Sequence, residues 1–118
     1  MRWQDELNAK RLKTKGWYGC IAPDGWKDIV LKADAMLAYI DPDYEIHQIK
    51  EKFGTLRYYF GTTTEYDSIQ YRIMEAITES AEAKSARVCE VCGKWGETDW
   101  EQSWVRTLCE EHRNGKMD

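Results

Sequence analysis

"YEIHQIKEKFGTLRYYF", Tyr44 to Phe60, sets two β-favouring runs on either side of a short link that contains Gly54. The runs, about Tyr44 to Lys50 and Thr55 to Phe60, predict a β-hairpin. The two-residue period of a strand puts Leu56, Tyr58 and Phe60 on one face and Thr55, Arg57 and Tyr59 on the other. The first set is expected to face the helices. Ile46 and Ile49 would point to opposite faces of the first strand, so that strand needs either a bulge or burial on both sides.

Working outward, the residues on each side have helical spacing. From Asp24 to Ile40 the apolar residues Trp26, Ile29, Val30, Ala33, Leu37 and Ile40 recur at steps of three and four, with Asp24 placed as an N-cap and Asp41-Pro42 as a stop. After the hairpin, Thr64 through Asp67 offer a cap, and Tyr66, Ile69, Ile73, Ala76, Ile77 and Ser80 carry a second stripe toward "AKSAR". Residues 3 to 13 have helix-forming composition, with Trp3, Leu7 and Leu12 as anchors. "GWYGCIAPDGW" reads as an irregular loop whose Trp17 and Tyr18 dock on the core. The expected fold class is α+β, with helices packed on a small antiparallel hairpin or sheet.

The chain has 118 residues, four cysteines and two histidines. Its length suits one compact unit in which a staple would help. No run of about 18 apolar residues suggests a membrane span, and the charged opening MRWQDELNAKRLK does not read as an export signal. We therefore expect a cytoplasmic protein. The formal net charge of −4 is unevenly spread. Arg2, Lys10, Arg11, Lys13 and Lys15 outnumber Asp5 and Glu6 in the first fifteen residues. In residues 88 to 118, four cations face seven acids.

"CEVCGKWGETDWEQSWVRTLCEEH" holds Cys89-x2-Cys92, sixteen intervening residues, then Cys109-x2-His112. Two close pairs flanking a hairpin-sized insert are what a tetrahedral zinc site requires, with Cys109 and His112 one helical turn apart on one face. Paired disulfides or a redox Cys-x-x-Cys are the alternatives, and the redox reading leaves the second pair unexplained. The expected module is a zinc-stapled β-hairpin and short helix of treble-clef or zinc-ribbon type. It divides the chain into a core of residues 1–87 and a module of 88–118 packed on it as a single structural unit. A catalytic zinc keeps a position open for water, whereas a Cys3His set is complete, so the Zn2+ is expected to be structural. Glu90, Glu110 and Glu111 read as solvated acids and His47 has no nucleophilic partner. No catalytic residue is assigned, and the chain is not expected to be an enzyme.

The insert combines Trp95, Trp100 and Trp104 with Glu97, Asp99 and Glu101, and aromatic residues beside acids suit an interface with a basic protein. Trp104, in the strand-like "SWVRTL", reads better as filling the module, while Trp95 and Trp100 fit core or interface equally. A nucleic-acid surface would draw on the basic arm and on Lys50, Lys52 and Arg57, with Tyr58 or Tyr59 for stacking. The acidic module would repel phosphate, so this is the second choice.

At "GW", "KEKFGTLRYYF" and "CEVCG…WVRTLCEEH" together, the chain resembles a family of small uncharacterised bacteriophage and prophage proteins. The resemblance covers roughly residues 16 to 112 and rests on Gly25, Trp26, Lys50, Glu51, Lys52, Phe53, Gly54, Leu56, Arg57, Cys89, Cys92, Cys109 and His112. The family's insert between the ligand pairs is shorter and glycine-rich, so the acidic, tryptophan-bearing insert is a departure. The family brings no activity. It implies a small protein acting in the cytoplasm of a bacterial host, and with it comes the expectation of a non-enzymatic interaction module. Its partner would be a host or phage protein, as for an anti-defence inhibitor, and Trp95, Glu97, Asp99, Trp100, Glu101, Lys50, Lys52 and Arg57 would make the contacts.

Overall fold

The computed structural model describes residues 2–101 and 103–114, so Gln102 and the last four residues of the expected 88–118 module lie outside the described residues. The fold is α+β. In chain order it runs α1 (Trp3–Arg11), β1 (Gly19–Cys20), a 3-10 turn (Asp24–Trp26), α2 (Lys27–Ile40), β2 (Glu45–Lys52), β3 (Thr55–Gly61), α3 (Ile69–Ser85), β4 (Glu97–Asp99), β5 (Arg106–Leu108) and α4 (Glu110–Arg113). One sheet has the order β1-β2-β3, with β1 parallel and β3 antiparallel to β2, and a second pairs β4 with β5.

The β2–β3 hairpin forms as its pattern predicts. Lys52 pairs with Thr55 across a two-residue turn in which Phe53 and Gly54 have φ of 52° and 84°. Positive φ at both central residues gives the primed turn that suits the strand twist. The register shifts between Ile46 and Gln48, and this bulge lets Ile46 and Ile49 both reach the core, where each is fully buried. Leu56 and Tyr58 join them, and Phe60 packs at the core margin.

The α2 stripe also folds as read: Trp26, Val30, Ala33 and Leu37 are buried, while Ile29 and Ile40 pack against the core. Asp24, however, does not cap that helix. Its carboxylate accepts from Trp3 Nε1 (3.0 Å) and Gln4 Nε2 (2.9 Å), fastening α1 to the 3-10 turn, and α2 begins only at Lys27. The cap of α3 is Ser68, whose Oγ accepts from Tyr71 N–H, rather than a residue between Thr64 and Asp67. The buried face of α3 also differs from the expected stripe. Met74, Ala81 and Ser85 point inward with Ile77 beside them, and Tyr66, Ile69, Ile73, Ala76 and Ser80 are exposed. Ser85 is selected by a polar demand, since its Oγ accepts the Leu56 N–H at 2.8 Å while donating to Glu82 O.

The loop before α2 is also less irregular than expected. Its Gly19 and Cys20 form β1 beside Gln48 and Ile49, and Tyr18 and Trp17 stay exposed instead of docking on the core. Trp17 lies flat on His47, with ring centroids 4.0 Å apart. α1 ends at Arg11, short of residue 13, with Leu7 buried and Trp3 and Leu12 half-buried.

A polar chain crosses the core. Arg11 Nε donates to Asp34 Oδ1 at 2.9 Å, Tyr44 Oη donates to the same oxygen, and Tyr44 and Tyr58 hydroxyls lie 2.6 Å apart. Burial pushes both tyrosine hydroxyls above their ordinary range, so they remain neutral donors. The Arg11 guanidinium lies over the Tyr44 ring at 5.0 Å. Arg11 is thereby committed to the core and not to a basic arm.

Candidate metal centre and interaction surfaces

The C-terminal module begins where α3 ends. Val88 bridges to Trp95, Cys89 N–H donates to Lys94 O (2.7 Å) and Gly93 N–H donates to Cys89 O (2.9 Å), closing a tight turn around Cys89 and Cys92. Gly93 supplies the left-handed residue of that turn, with φ of 83°. The β4–β5 hairpin then delivers Cys109 to the N-cap of α4, which brings His112 back over it. This turn, hairpin and helix follow one another as in a treble clef.

The ligand atoms of Cys89, Cys92, Cys109 and His112 all lie within 4.8 Å of one another. Cys92 Sγ is 3.7 Å from Cys109 Sγ, and His112 Nδ1 is 3.5 Å from Cys89 Sγ and 3.1 Å from Cys109 Sγ. Metal–sulfur bonds of about 2.3 Å in a tetrahedron put sulfur atoms about 3.8 Å apart, so this cluster can hold a metal ion with little adjustment. The His112 backbone N–H draws the Cys109 thiol down to about 6 against its desolvation, favouring the thiolate that a metal binds. At Cys92 the Lys94 N–H acts in the same sense, but desolvation and the neighbouring Cys109 and Cys89 outweigh it and the thiol is raised. Cys20 takes no part: it is buried in the main core, where desolvation pushes it up to about 11.

Two glycine turns hold the module on the core. Gly25 N–H donates to Glu90 O and Trp26 Nε1 donates to Val88 O, each at 2.8 Å. A Cβ on Gly25 would stand 2.1 Å from Cys89 O, so only glycine fits there. On the other side Thr107 Oγ1 donates to Gly54 O at 2.6 Å, and a Cβ on Gly54 would meet Thr98 Cγ2 at 3.0 Å. Glu51 Oε2 accepts the Gly54 N–H. The "GW" and "KEKFG" motifs therefore hold the C-terminal module against the 3-10 turn and the β2–β3 turn.

Trp95, Trp100 and Trp104 are 69%, 68% and 68% exposed. Trp104 accordingly does not fill the module as the strand pattern suggested; the small residues Thr98 and Thr107 do, with hydroxyls 2.6 Å apart. Arg87 lies over Trp95 and Arg106 over Trp104. Glu97 and Glu101 are exposed, but Asp99 is half-buried and faces Arg113 at 3.8 Å. A dimple of about 310 Å³ beside Trp95 is walled by Glu97, Glu110 and Arg113. Glu90, read as a solvated acid, is instead buried against Arg106 at 3.1 Å, and desolvation raises its pKa despite that cation.

The cations of the hairpin do not gather into one patch with the arm. Lys52 lies over the Phe53 ring at the turn, Lys50 pairs across the strands with Arg57, and Arg57 is half-buried near Glu82. Lys13 donates to Asp43 O at the other end of the sheet.

A second concavity escaped the sequence pattern: a groove of about 470 Å³ lined by Trp17, His47 and Gln48, by Arg57 to Phe60 of β3, and by α3. Tyr71, Glu75, Thr78, Glu79 and Glu82 of α3 line it. Their spacing of three and four was a legible signal, hidden because polar residues on a helix usually mark a solvated face. Among the described residues no helix is long and apolar enough to cross a membrane. Comparisons of the chain with protein-family models, curated proteins and solved structures give no match.

Proposed function

We propose that this chain is a zinc-stapled, non-enzymatic interaction module whose metal is structural and whose C-terminal surface binds a basic protein. The observation that carries the reading is the exposure of Trp95, Trp100 and Trp104 on a module fastened to the core by Gly25, Trp26 and Gly54. Large rings left in water cost free energy that a partner can recover, and rigid aromatic anchors dominate interface energetics. Glu97 and Glu101 beside them favour a cationic partner. Zinc suits four ligands of thiolate and imidazole type, and a full set leaves no position for substrate. We place its work in the cytoplasm of a bacterial host, on a host or phage protein such as a defence component, in keeping with the phage-type motifs.

The nucleic-acid alternative is less well supported, because Arg11 is spent on Asp34 and Arg57 sits near Glu82. Two measurements test the proposal. Metal analysis of protein purified without added metal should give about one zinc per chain, lost in Cys109→Ser. Trp95→Ala with Trp100→Ala should leave zinc content and melting unchanged while abolishing capture of the partner found with the native protein. Loss of zinc or of the fold in that double variant would make the rings structural and refute the reading.

A further inference from the structure

β3 is an edge strand of its sheet, and most of that edge is unpaired. In an antiparallel pair closed by a two-residue turn, alternate residues turn their N–H and C=O groups away from the partner strand. Leu56 belongs to the outward set, since its N–H is taken by Ser85 at the end of α3. Tyr58 and Phe60 follow at the strand period, and no hydrogen bond joins their main chain to another element among the described residues. An unpaired edge is a template for another strand. The groove of about 470 Å³ runs over β3 to this edge, between Trp17, His47 and Gln48 on the sheet side and α3 from Tyr71 to Glu82 on the other. That helix segment is about 16 Å long at 1.5 Å per residue, the length of about five residues of extended chain.

The chemistry of the walls selects the occupant. Glu75 and Glu79 are exposed on the α3 side with no ion pair among the described residues, and Glu82 reaches Arg57 only at 4.0 Å. Arg57, which also lines the groove, buries its Nε–H with no acceptor. Three carboxylates against one guanidinium leave the groove acidic. Nucleic acid is disfavoured by that charge, and a small molecule would leave the strand edge unused.

We propose that the β3–α3 groove binds an extended basic peptide segment of a partner, added as a fourth strand on β3, with its lysine or arginine side chains against Glu75 and Glu79. Its main chain completes the hydrogen bonds of Tyr58 and Phe60. This is strand addition between an edge strand and a helix, in which the main chain gives affinity and the helix face gives specificity. The site is separate from the tryptophan-bearing module and does not depend on it.

The probe is an acetylated, amidated peptide of about seven residues alternating valine and lysine, titrated against the metal-loaded full chain and followed by amide NMR. Binding should shift the Tyr58 and Phe60 amides and slow their hydrogen exchange about fivefold or more. The same peptide with glutamate for lysine, or with alternate backbone nitrogens methylated, should bind at least about tenfold more weakly. Glu75→Lys with Glu79→Lys should weaken the lysine peptide by a similar factor. Should that variant fail to fold, the methylated peptide against the native chain decides alone. Equal affinity for the methylated or acidic peptide, or no shift at Tyr58 and Phe60 at millimolar peptide, would overturn the proposal. So would sedimentation showing a dimer closed through β3, which would make a second copy the occupant.

Discussion

Substituting Gly25 by alanine tests how the metal module is held on the core. The residue is not among the positive-φ glycines, so a methyl group there adds no backbone strain of that kind. The whole cost is steric and local. The new Cβ would lie 2.1 Å from Cys89 O, 2.5 Å from Glu90 C and 2.6 Å from Glu90 O, all main-chain atoms of the metal-binding turn. Carbon–oxygen contacts settle at about 3.3 Å or more, so the two segments must part by roughly 1 Å. That movement stretches the Gly25–Glu90 and Trp26–Val88 hydrogen bonds, each 2.8 Å, past useful length. Each contributes about 1 kcal/mol net, and partial uncovering of Trp26 adds about 1 kcal/mol, for a loss of about 3 kcal/mol. A fall in melting temperature of roughly 10 °C follows for a domain of this size. Transfer of the bound metal, zinc on the proposed reading, to a chromogenic chelator, followed in parallel with calorimetry, should speed up as the turn loosens. Gly16→Ala is the comparison, because its Cβ would meet nothing within 4 Å and only its φ of 104° is strained. If Gly25→Ala melts within about 2 °C of the parent and releases zinc at the same rate, the docking argument is wrong.

Other perturbations separate other parts of the molecule. Gly54→Ala should cost about 2 kcal/mol by denaturant unfolding, since a left-handed φ of 84° and the contact with Thr98 both oppose the methyl group. Removing the metal with a strong chelator should raise hydrogen exchange at the Cys89, Gly93 and Gly96 amides while those of β2 and β3 stay protected, and uniform deprotection would mean one cooperative unit. Asp41 sets an acid limit. Burial acts to raise its pKa, but donors from Thr62, Thr63 and Asp43 outweigh it and hold the carboxyl below 3.8. Its contribution is therefore full above about pH 4 and lost as pH falls through the folded-state value; Asp41→Asn should be less stable at pH 7 and lose less on acidification. A parallel acid profile for the two proteins would refute this.

The hairpin and α2 were legible because each has a single period and a single apolar face. Ile46 and Ile49 could be read as needing either a bulge or burial on both faces, and the bulge is what forms, since it lets both share one core. The grouping of Cys89, Cys92, Cys109 and His112, which could hold a metal ion, was legible from spacing alone. The face of α3 was not, because Ile69, Ile73 and Ala76 on one side look as suitable for burial as Met74, Ala81 and Ser85 on another. The choice was made by Leu56 N–H, which needs an acceptor 29 residues away. Asp24 looked like a cap because Asp before a helix usually is one; the distant Trp3 and Gln4 side chains competed for its oxygens and won. Trp104 looked like core by strand alternation, but a hairpin whose inner face rests on the Gly54 turn has room only for threonine-sized side chains.

The hydrogen bonds that seat the module also bear on how the chain reaches this state. Bringing the metal ligands together spans only 23 residues, from Cys89 to His112. Seating the result on the core spans 62 residues through Trp26 and 53 through Gly54. Loop closure grows as (3/2)RT ln n, so the longer closures carry about 1 kcal/mol more entropy loss, and they require β2, β3 and α2 to exist first. Gathering the four Cys and His side chains is thus a local event that can run ahead of the rest, while docking waits on the slow, non-local step. If the cluster holds zinc as proposed, refolding rates should then be insensitive to zinc concentration once the ligands are saturated, with the metal setting how long the finished state lasts instead of how quickly it forms.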